Sequence, residues 1–169
     1  MDTLAEVLRD LRLESSFYAR SELKAPWGLS FLLADGPSFH MIVTGSCWLR
    51  VADERIFLQA GDLVLLPRGA VHQLANPAEA ETIPLQALPS ERIGQNAALL
   101  RFGGLGPATL LICGDVRFAG PLAHPLLELL PCVLRLHHDE QEGRLTGWRR
   151  RSRCWARRLY SRAQAVQLC

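Results

Sequence analysis

The sequence lacks the apolar segments and cysteine pairs that are typical of membrane and secreted proteins. No uninterrupted apolar run approaches the ~20 residues that a membrane-spanning helix needs. Residues 1–16 carry acids and amphipathic spacing instead of the apolar core of a signal peptide. The five cysteines form an odd set without a CxxC pair, which is not typical of a disulfide framework. We therefore expect a cytoplasmic protein with no membrane partner.

Acidic residues are absent from the end of the chain. Residues 144–169 contain eight arginines and no acid, whereas residues 1–143 contain all 17 acids and 11 basic residues. The net charge of +2 therefore hides an acidic body and a basic tail. Such a tail favours weak, salt-sensitive association with nucleic acid, but nothing in it supplies a geometry that reads a DNA groove. We predict no sequence-specific DNA binding by this chain alone.

The spacing of apolar residues predicts one mainly β domain. The chain of 169 residues is long enough for a single compact domain with an appendage. Short apolar segments bounded by glycine and proline predict antiparallel strands, and no strand-helix-strand alternation appears. We expect a sandwich or barrel. The candidate strands are residues 27–33, 39–43, 47–51, 56–58, 63–66, 71–75, 97–102 and 109–113.

Helices and loops are predicted outside these strands. The helical repeat of Leu4, Val7, Leu8 and Leu11 predicts an N-terminal helix, and the leucines of residues 124–130 predict a helix after the barrel. Residues 76–92, rich in Ala, Glu and Pro, are predicted to form a loop across the mouth of the barrel. The adjacent His137 and His138 are predicted to lie in a solvated loop.

The sequence GDLVLLPRGAVHQLAN at residues 61–76 is the most specific motif in the chain. It has Gly61, then five residues, Pro67-x-Gly69, two residues, His72, three residues and Asn76. The glycines and the proline predict tight turns on either side of an apolar strand. The stretch matches the second cupin motif at every fixed position, so the chain resembles cupins.

A second stretch indicates which kind of cupin the chain resembles. Residues 39–50, FHMIVTGSCWLR, resemble a modified first cupin motif, but residues 32–38 lack the His-x-His pair and the glutamate that enzymatic cupins carry. With residues 111–118 and 124–131, the stretch is similar to the N-terminal sensor domain of AraC-family transcriptional regulators. The resemblance implies an all-β cupin barrel, a double-stranded β-helix or jelly roll, with an N-terminal helix and a C-terminal helical segment.

The resemblance also implies a function. We expect residues 1–136 to form a cupin sensor domain that binds a small-molecule effector and forms a homodimer, and residues 137–169 to form an Arg-rich tail. Only 33 residues follow Leu136, too few for the helix-turn-helix module of such regulators. We predict a ligand-sensing, non-enzymatic domain without that module. The alternative is a small metal-dependent cupin enzyme, a dioxygenase or an isomerase.

Strand parity predicts a metal site. If Thr44 and Gly45 form the tip of a two-residue hairpin, His40 and Cys47 lie on the same face of the sheet. In cupins generally the histidine at the position of His72 points into the barrel, and Cys113 lies on a late strand. Two histidines and two cysteines suit a tetrahedral, structural zinc site. The alternative is that both histidines are hydrogen-bonded interior groups and both cysteines only pack.

Overall fold

The computed structural model describes residues 12–32, 36–119, 127, 129–139 and 144–146. Within these residues the backbone forms thirteen strands and one turn of 3-10 helix at Leu85–Ala87. No helix in this part of the chain is long and apolar enough to span a membrane. The strands are β1 (Arg12–Lys24), β2 (Trp27–Phe31), β3 (Ser38–Thr44), β4 (Ser46–Val51), β5 (Glu54–Gln59), β6 (Asp62–Leu66), β7 (His72–Asn76), β8 (Ile83–Pro84), β9 (Ser90–Arg92), β10 (Ala97–Gly103), β11 (Ala108–Ala119), β12 (Leu134–Asp139) and β13 (Arg144–Thr146).

The described strands pair into two sheets. One sheet has eight strands in the order β13-β12-β6-β3-β11-β1-β10-β9, and the other has five in the order β5-β4-β7-β2-β8. Each of the eight predicted strands is present, as β2 to β7, β10 and β11. The prediction of an all-β barrel is therefore confirmed.

Alternating side chains of both sheets form the core. Along β4 the residues alternate between buried and half-buried, and β3 and β6 show the same period of two. The inward positions carry large apolar side chains with almost no exposure. These include Trp27, Leu29, Ile42, Leu49, Leu58, Val64, Leu66, Leu74, Leu100 and Leu111.

The turn at Thr44 and Gly45 differs from the predicted hairpin. Strand β3 pairs with β6 and β11, whereas β4 pairs with β5 and β7, so the turn carries the chain from one sheet to the other. The prediction of a two-residue hairpin is therefore wrong. The prediction that His40 and Cys47 face the same side is nevertheless correct, because both are buried between the sheets. The buried positions are even-numbered along β3 and odd-numbered along β4, so the turn shifts the alternation by one residue while it changes the pairing partners.

The motif at residues 61–76 also joins the two sheets. Strand β6 belongs to the eight-stranded sheet and β7 to the five-stranded sheet. Gly61 and Gly69 have φ angles of 88° and 59°, a region that favours glycine. The side-chain amide of Asn76 donates a hydrogen bond of 3.0 Å to the carbonyl of Ser46. The asparagine of the motif therefore ties β7 to the first residue of β4.

Several elements were not predicted from the sequence. The long strand β1 pairs with β10 and β11, and its inward positions include the small residues Ala19 and Ser21, which weaken the apolar alternation. Residues 76–92 contain β8 and β9, which pair with β2 and β10, so the predicted loop is partly sheet. The proposed helix at residues 4–11 lies outside the described residues. Of residues 124–130, Leu127 and Leu129 have helical backbone, and that helix stays a prediction.

The predicted domain boundary after Leu136 falls inside a strand. Strand β12 spans the boundary and pairs with β6 from Leu134 to His137. Residues 144–146, at the start of the predicted tail, form β13 on the outer side of β12. The sheet therefore continues past the predicted boundary, while residues 147–169 lie outside the described part of the chain. The division into two domains stays a prediction.

Candidate functional site

Two histidines from opposite sheets meet inside the barrel. His40 lies on β3 and His72 on β7, and their side chains are 1% and 2% exposed. The distance between the two Nε2 atoms is 2.6 Å. Both positions follow from the inward period of their strands. The structure therefore brings together two of the four residues that the sequence predicted for a metal site.

Phe31 packs against both histidine rings. Its ring is stacked on His72, with a centroid distance of 4.6 Å and an interplanar angle of 5°. It also makes an edge contact with His40 at 4.8 Å. Phe31 is directly opposite His72 in the pairing of β2 and β7. Phe31 is half-buried, so the histidine pair packs against a residue that is itself partly exposed.

The hydrogen bonds assign a tautomer to each histidine. Nδ1 of His72 lies 2.6 Å from the carbonyl oxygen of Ala70, which can only accept, so this nitrogen carries the hydrogen. Nε2 of neutral His72 is then an acceptor, and His40 donates to it from its own Nε2. The remaining nitrogen of His40, Nδ1, is buried without a hydrogen-bond partner. The pair therefore leaves one unused acceptor in the barrel.

Burial keeps both histidines neutral. Burial lowers the pKa of His40 well below 6.5, and the neighbouring His72 lowers it further. Burial also lowers the pKa of His72, although the hydrogen bond to Ala70 acts in the opposite direction. A proton on either ring would place a charge among apolar side chains. Neutral imidazoles are hydrogen-bonding groups and metal ligands rather than ion-pair partners.

The two predicted cysteines lie in the same interior. Cys47 on β4 and Cys113 on β11 are 1% and 4% exposed, and Cys113 is directly opposite His40 in the pairing of β3 and β11. Burial raises the pKa of Cys47 to about 12, with a smaller effect from Asp62. Burial also raises the pKa of Cys113, and the nearby Cys47 adds to the effect. Both thiols are therefore protonated at neutral pH.

The four predicted ligands do not form a shell in this structure. His40 and His72 are in contact, while Cys113 lies on the strand next to that of His40 and Cys47 lies on the strand next to that of His72. Within the described ranges, no three side chains of His, Cys, Asp or Glu are grouped so that they could hold a metal ion. The predicted zinc site therefore stays a prediction, and the alternative of two hydrogen-bonded interior histidines describes the contact seen between their rings.

A second cluster of polar groups surrounds Asp62, and the sequence analysis did not find it. The Asp62 side chain is fully buried and accepts two hydrogen bonds from Arg135, of 3.0 and 2.7 Å. It also accepts a bond of 2.8 Å from the backbone N–H of Gln59, and Nδ1 of His137 lies 2.8 Å from it. His137 is part of strand β12, so its prediction as a loop residue is wrong. The sequence feature that could have predicted this cluster is Asp62 itself, the acid directly after the first glycine of the motif.

A depression lies at the end of the five-stranded sheet. Its volume is about 480 Å³, and it is open to solvent. It is formed where the turn between β4 and β5 meets the start of β7. The lining residues are Arg50, Ala52, Asp53, Glu54, Arg55, Val71, His72 and Gln73. The depression is therefore lined mainly by polar residues, and the interior histidine His72 is one of its lining residues.

Comparisons with known proteins agree with the fold. A family model described as cupin matches residues 2–154. The chain is 26% identical over 140 residues to the HTH-type transcriptional regulator AlkR of Acinetobacter baylyi, which covers 82% of this chain and 46% of AlkR. It is 25% identical over 118 residues to an HTH-type transcriptional regulator of Haemophilus influenzae, covering 68% and 38%. The chain thus spans less than half the length of these relatives.

Two solved structures are similar at low sequence identity. A cupin-2 domain protein from Shewanella frigidimarina is 14% identical, with a TM-score of 0.36 over 69% of this chain and 94% of that chain. The structure of ToxT from Vibrio cholerae with bound unsaturated fatty acid is 12% identical, with a TM-score of 0.42 over 78% and 44%. Because the cupin model matches most of the chain, this chain belongs to the cupin family, and it resembles the sensor domain of AraC-type regulators, as the motifs predicted.

Proposed function

We propose that this chain is the ligand-sensing cupin domain of a transcriptional regulator and not an enzyme. The observation that carries the proposal is its sequence similarity to two HTH-type transcriptional regulators over most of this chain. In both relatives the matched part is less than half of the protein. The chain therefore corresponds to one part of a regulator, and DNA recognition belongs to the part that it does not cover.

The geometry of the interior does not favour metal-dependent catalysis. A catalytic metal site needs two or three protein ligands and an open position for substrate. In the described residues, His40 and His72 use their facing nitrogens for each other, and no third ligand joins them. The large side chains around them are closely packed apolar groups. Close packing of this kind stabilises the barrel and does not indicate an enzymatic reaction.

The proposal includes a small-molecule effector, a homodimer and a cytoplasmic location. Regulators of this kind respond to a ligand by a change in the population of two states, which needs different affinities for the ligand in those states. The open edge of β5 in the described sheet is a surface that a second copy can use. These three features remain proposals that rest on the similarity to regulators.

A structural zinc ion also remains part of the proposal. The hydrogen bond from Nδ1 of His72 to the carbonyl of Ala70 is the outer contact that a metal-binding histidine usually makes, and it leaves Nε2 free to bind. His40 would have to move its hydrogen from Nε2 to the unpartnered Nδ1. Both thiols would have to lose their protons, which a bound zinc ion favours. The residues thus fit zinc in type, while the distances require a rearrangement.

The function is tested by binding and turnover in one experiment. Purified protein is screened by thermal unfolding against sugars, keto acids, alkanes and aromatic acids, with and without added Zn²⁺, Mn²⁺ and Fe²⁺. A ligand at 100 times its Kd should stabilise the fold by about 2.7 kcal/mol. We expect saturable stabilisation by one class, and NMR spectra should show that the compound is unchanged after overnight incubation. Metal-dependent conversion of a compound would contradict the proposal and favour the enzyme.

A further inference from the structure

Two arginines lie opposite each other on the outer face of the five-stranded sheet. Arg50 on β4 is directly paired with Arg55 on β5, at the end of the hairpin that borders the depression. Two like charges at directly opposite positions destabilise a sheet. The arrangement therefore needs a compensating negative charge.

Arg50 has no such charge among the described residues. Its Nε is buried and has no hydrogen-bond partner, which leaves a costly unsatisfied donor. No ion pair joins Arg50 to an acid in the described part of the chain. Asp53 and Glu54 also line the depression, but neither forms an ion pair with Arg50. Arg50 as a whole is half-buried, so a group from outside the chain can reach only the exposed part of its side chain.

Arg55 is only weakly compensated. Its ion pair with Glu79 has an N–O distance of 3.4 Å, and the two side chains are 57% and 74% exposed. Exposed pairs of this kind contribute little free energy. An incoming anion can therefore displace Glu79 from Arg55 at small cost and contact both guanidinium groups.

An aromatic pair lies next to the two arginines on the same face. Trp48 is directly opposite Phe57, and their ring centroids are 5.1 Å apart. Phe57 is 43% exposed although it is a large apolar residue. Trp48 precedes Arg50 by two residues, which corresponds to about 6.6 Å along a strand. The surface thus has two arginines at one end and two aromatic rings at the other, and the separation between them is comparable to the length of a small molecule.

We propose that this outer face binds a small organic acid whose carboxylate contacts Arg50 and Arg55 and whose apolar body packs on Trp48 and Phe57. The inference rests on the proposed sensing function and names the class of its effector. Charge-assisted bonds from two guanidinium groups fix the carboxylate, and the rings provide apolar contact area. The depression beside the arginines has a volume of about 480 Å³, in the range of small-molecule sites, and the two rings lie outside its lining, two residues along β4 and β5 from the arginines.

Calorimetric titration of the full chain with 3-phenylpropionate tests the proposal, with the neutral 3-phenylpropanol and inorganic phosphate as comparisons. We expect saturable binding of the acid at low ionic strength and binding of the alcohol that is weaker by about tenfold or more. Arg50→Gln and Arg55→Gln should each weaken binding of the acid by about tenfold. Phe57→Ala should weaken binding of the acid but not of phosphate.

Arg101→Gln is the matched control. Arg101 is also an exposed strand arginine, but it lies on the other sheet and pairs with Glu22, so its replacement should leave binding of the acid unchanged. Because Arg55 is exposed, its variant keeps the fold even if the Arg50 variant does not. Absence of saturable binding by the acid, or equal affinity of wild type and Arg55→Gln, would overturn the proposal. Phosphate binding as tight as the acid would overturn the organic-acid class. If another compound of the functional screen binds while the acid does not, this inference fails and the sensing function stands.

Discussion

At the scale of single residues, the pair of interior histidines links burial to protonation. His40 and His72 share one hydrogen bond, and the ring of Phe31 packs against both of them. Burial lowers the pKa of both residues, so the folded protein takes up a proton at either ring less readily than the unfolded chain does. The pair therefore makes stability sensitive to acid.

The metal-free protein should lose stability as the pH falls below 6.5, the ordinary histidine pKa. Each histidine whose folded pKa is lowered contributes stability that is present above the unfolded pKa and is lost as the pH falls below it. The slope is at most about 1.4 kcal/mol per pH unit for each such histidine. Urea unfolding of His40→Gln at pH 7, 6 and 5 in the presence of EDTA should show a shallower slope than wild type. Equal slopes would show that His40 does not titrate on unfolding.

Zinc content tests the other possibility for the same residues. We expect protein purified without chelator to contain one zinc ion per chain, and Cys47→Ser to lower its melting temperature, because metal binding is coupled to folding. Elemental analysis and thermal unfolding measure the two quantities. A chain nearly free of zinc, together with unchanged melting of Cys47→Ser, would remove the zinc site and leave a hydrogen-bonded histidine pair. Because a buried hydroxyl without a partner itself costs about 1–3 kcal/mol, both proteins are also unfolded in EDTA, where only the zinc-dependent part of the difference should disappear.

At the scale of elements, buried Asp62 connects strand β12 to the barrel. The carboxylate lies at the start of β6, and Arg135 and His137 reach it from β12. The two strands are also paired along four residues. The anchoring of β12 therefore depends on polar contacts as well as on the backbone pairing.

Asp62→Asn should destabilise the protein by about 2–4 kcal/mol, because it leaves Arg135 without its anion beside a buried position. Hydrogen exchange should show reduced protection in β12 before other strands change. Urea unfolding measures the loss of stability. Glu22→Gln, which removes an exposed ion pair with Arg101, is the control and should cost less than about 1 kcal/mol. Similar losses in both variants would mean that Asp62 does not anchor the strand.

At the scale of the whole molecule, the two sheets expose different kinds of side chains. The five-stranded sheet has the edge strand β5 and the arginine and aromatic pairs beside it. The eight-stranded sheet exposes apolar side chains on its outer face, among them Met41 and Val43, each 37% exposed. Exposed apolar surface and an open strand edge are typical of proteins that associate.

We expect the chain to form a homodimer at micromolar concentration. Sedimentation velocity should show a species of twice the mass of one chain, and dilution should shift the equilibrium toward monomer, because association depends on protein concentration. Sedimentation as monomer over the whole micromolar range would contradict this expectation.

The chain alone should not bind a specific DNA sequence. Its eight C-terminal arginines favour contacts with phosphates, and such contacts weaken steeply with salt. Gel-shift assays should show weak binding that is equal for different sequences and is lost at about 200 mM salt. A footprint at one operator that survives this salt concentration and competitor DNA would refute the prediction.

The sequence by itself determined the fold class, the family resemblance and the interior position of the histidines. Alternation along a strand was enough for His40, because it sets which face a side chain occupies, whereas the interior position of His72 followed from the resemblance of residues 61–76 to the second cupin motif. Strand β1 escaped detection because Ala19 and Ser21 occupy buried positions where larger apolar residues give the usual signal.

Only the tertiary structure decided which sheet each strand joins. The turn after β3 leads to the other sheet and not to a hairpin. A hairpin would also have placed His40 and Cys47 on the same face, so the sequence pattern could not distinguish the two arrangements. The contact between His40 and His72, the anchoring of Asp62 by Arg135 and the opposition of Arg50 and Arg55 follow from the strand pairing and packing. The physical reason is that the free energy of pairing depends on partners that can be distant in the sequence, and no local pattern selects among them.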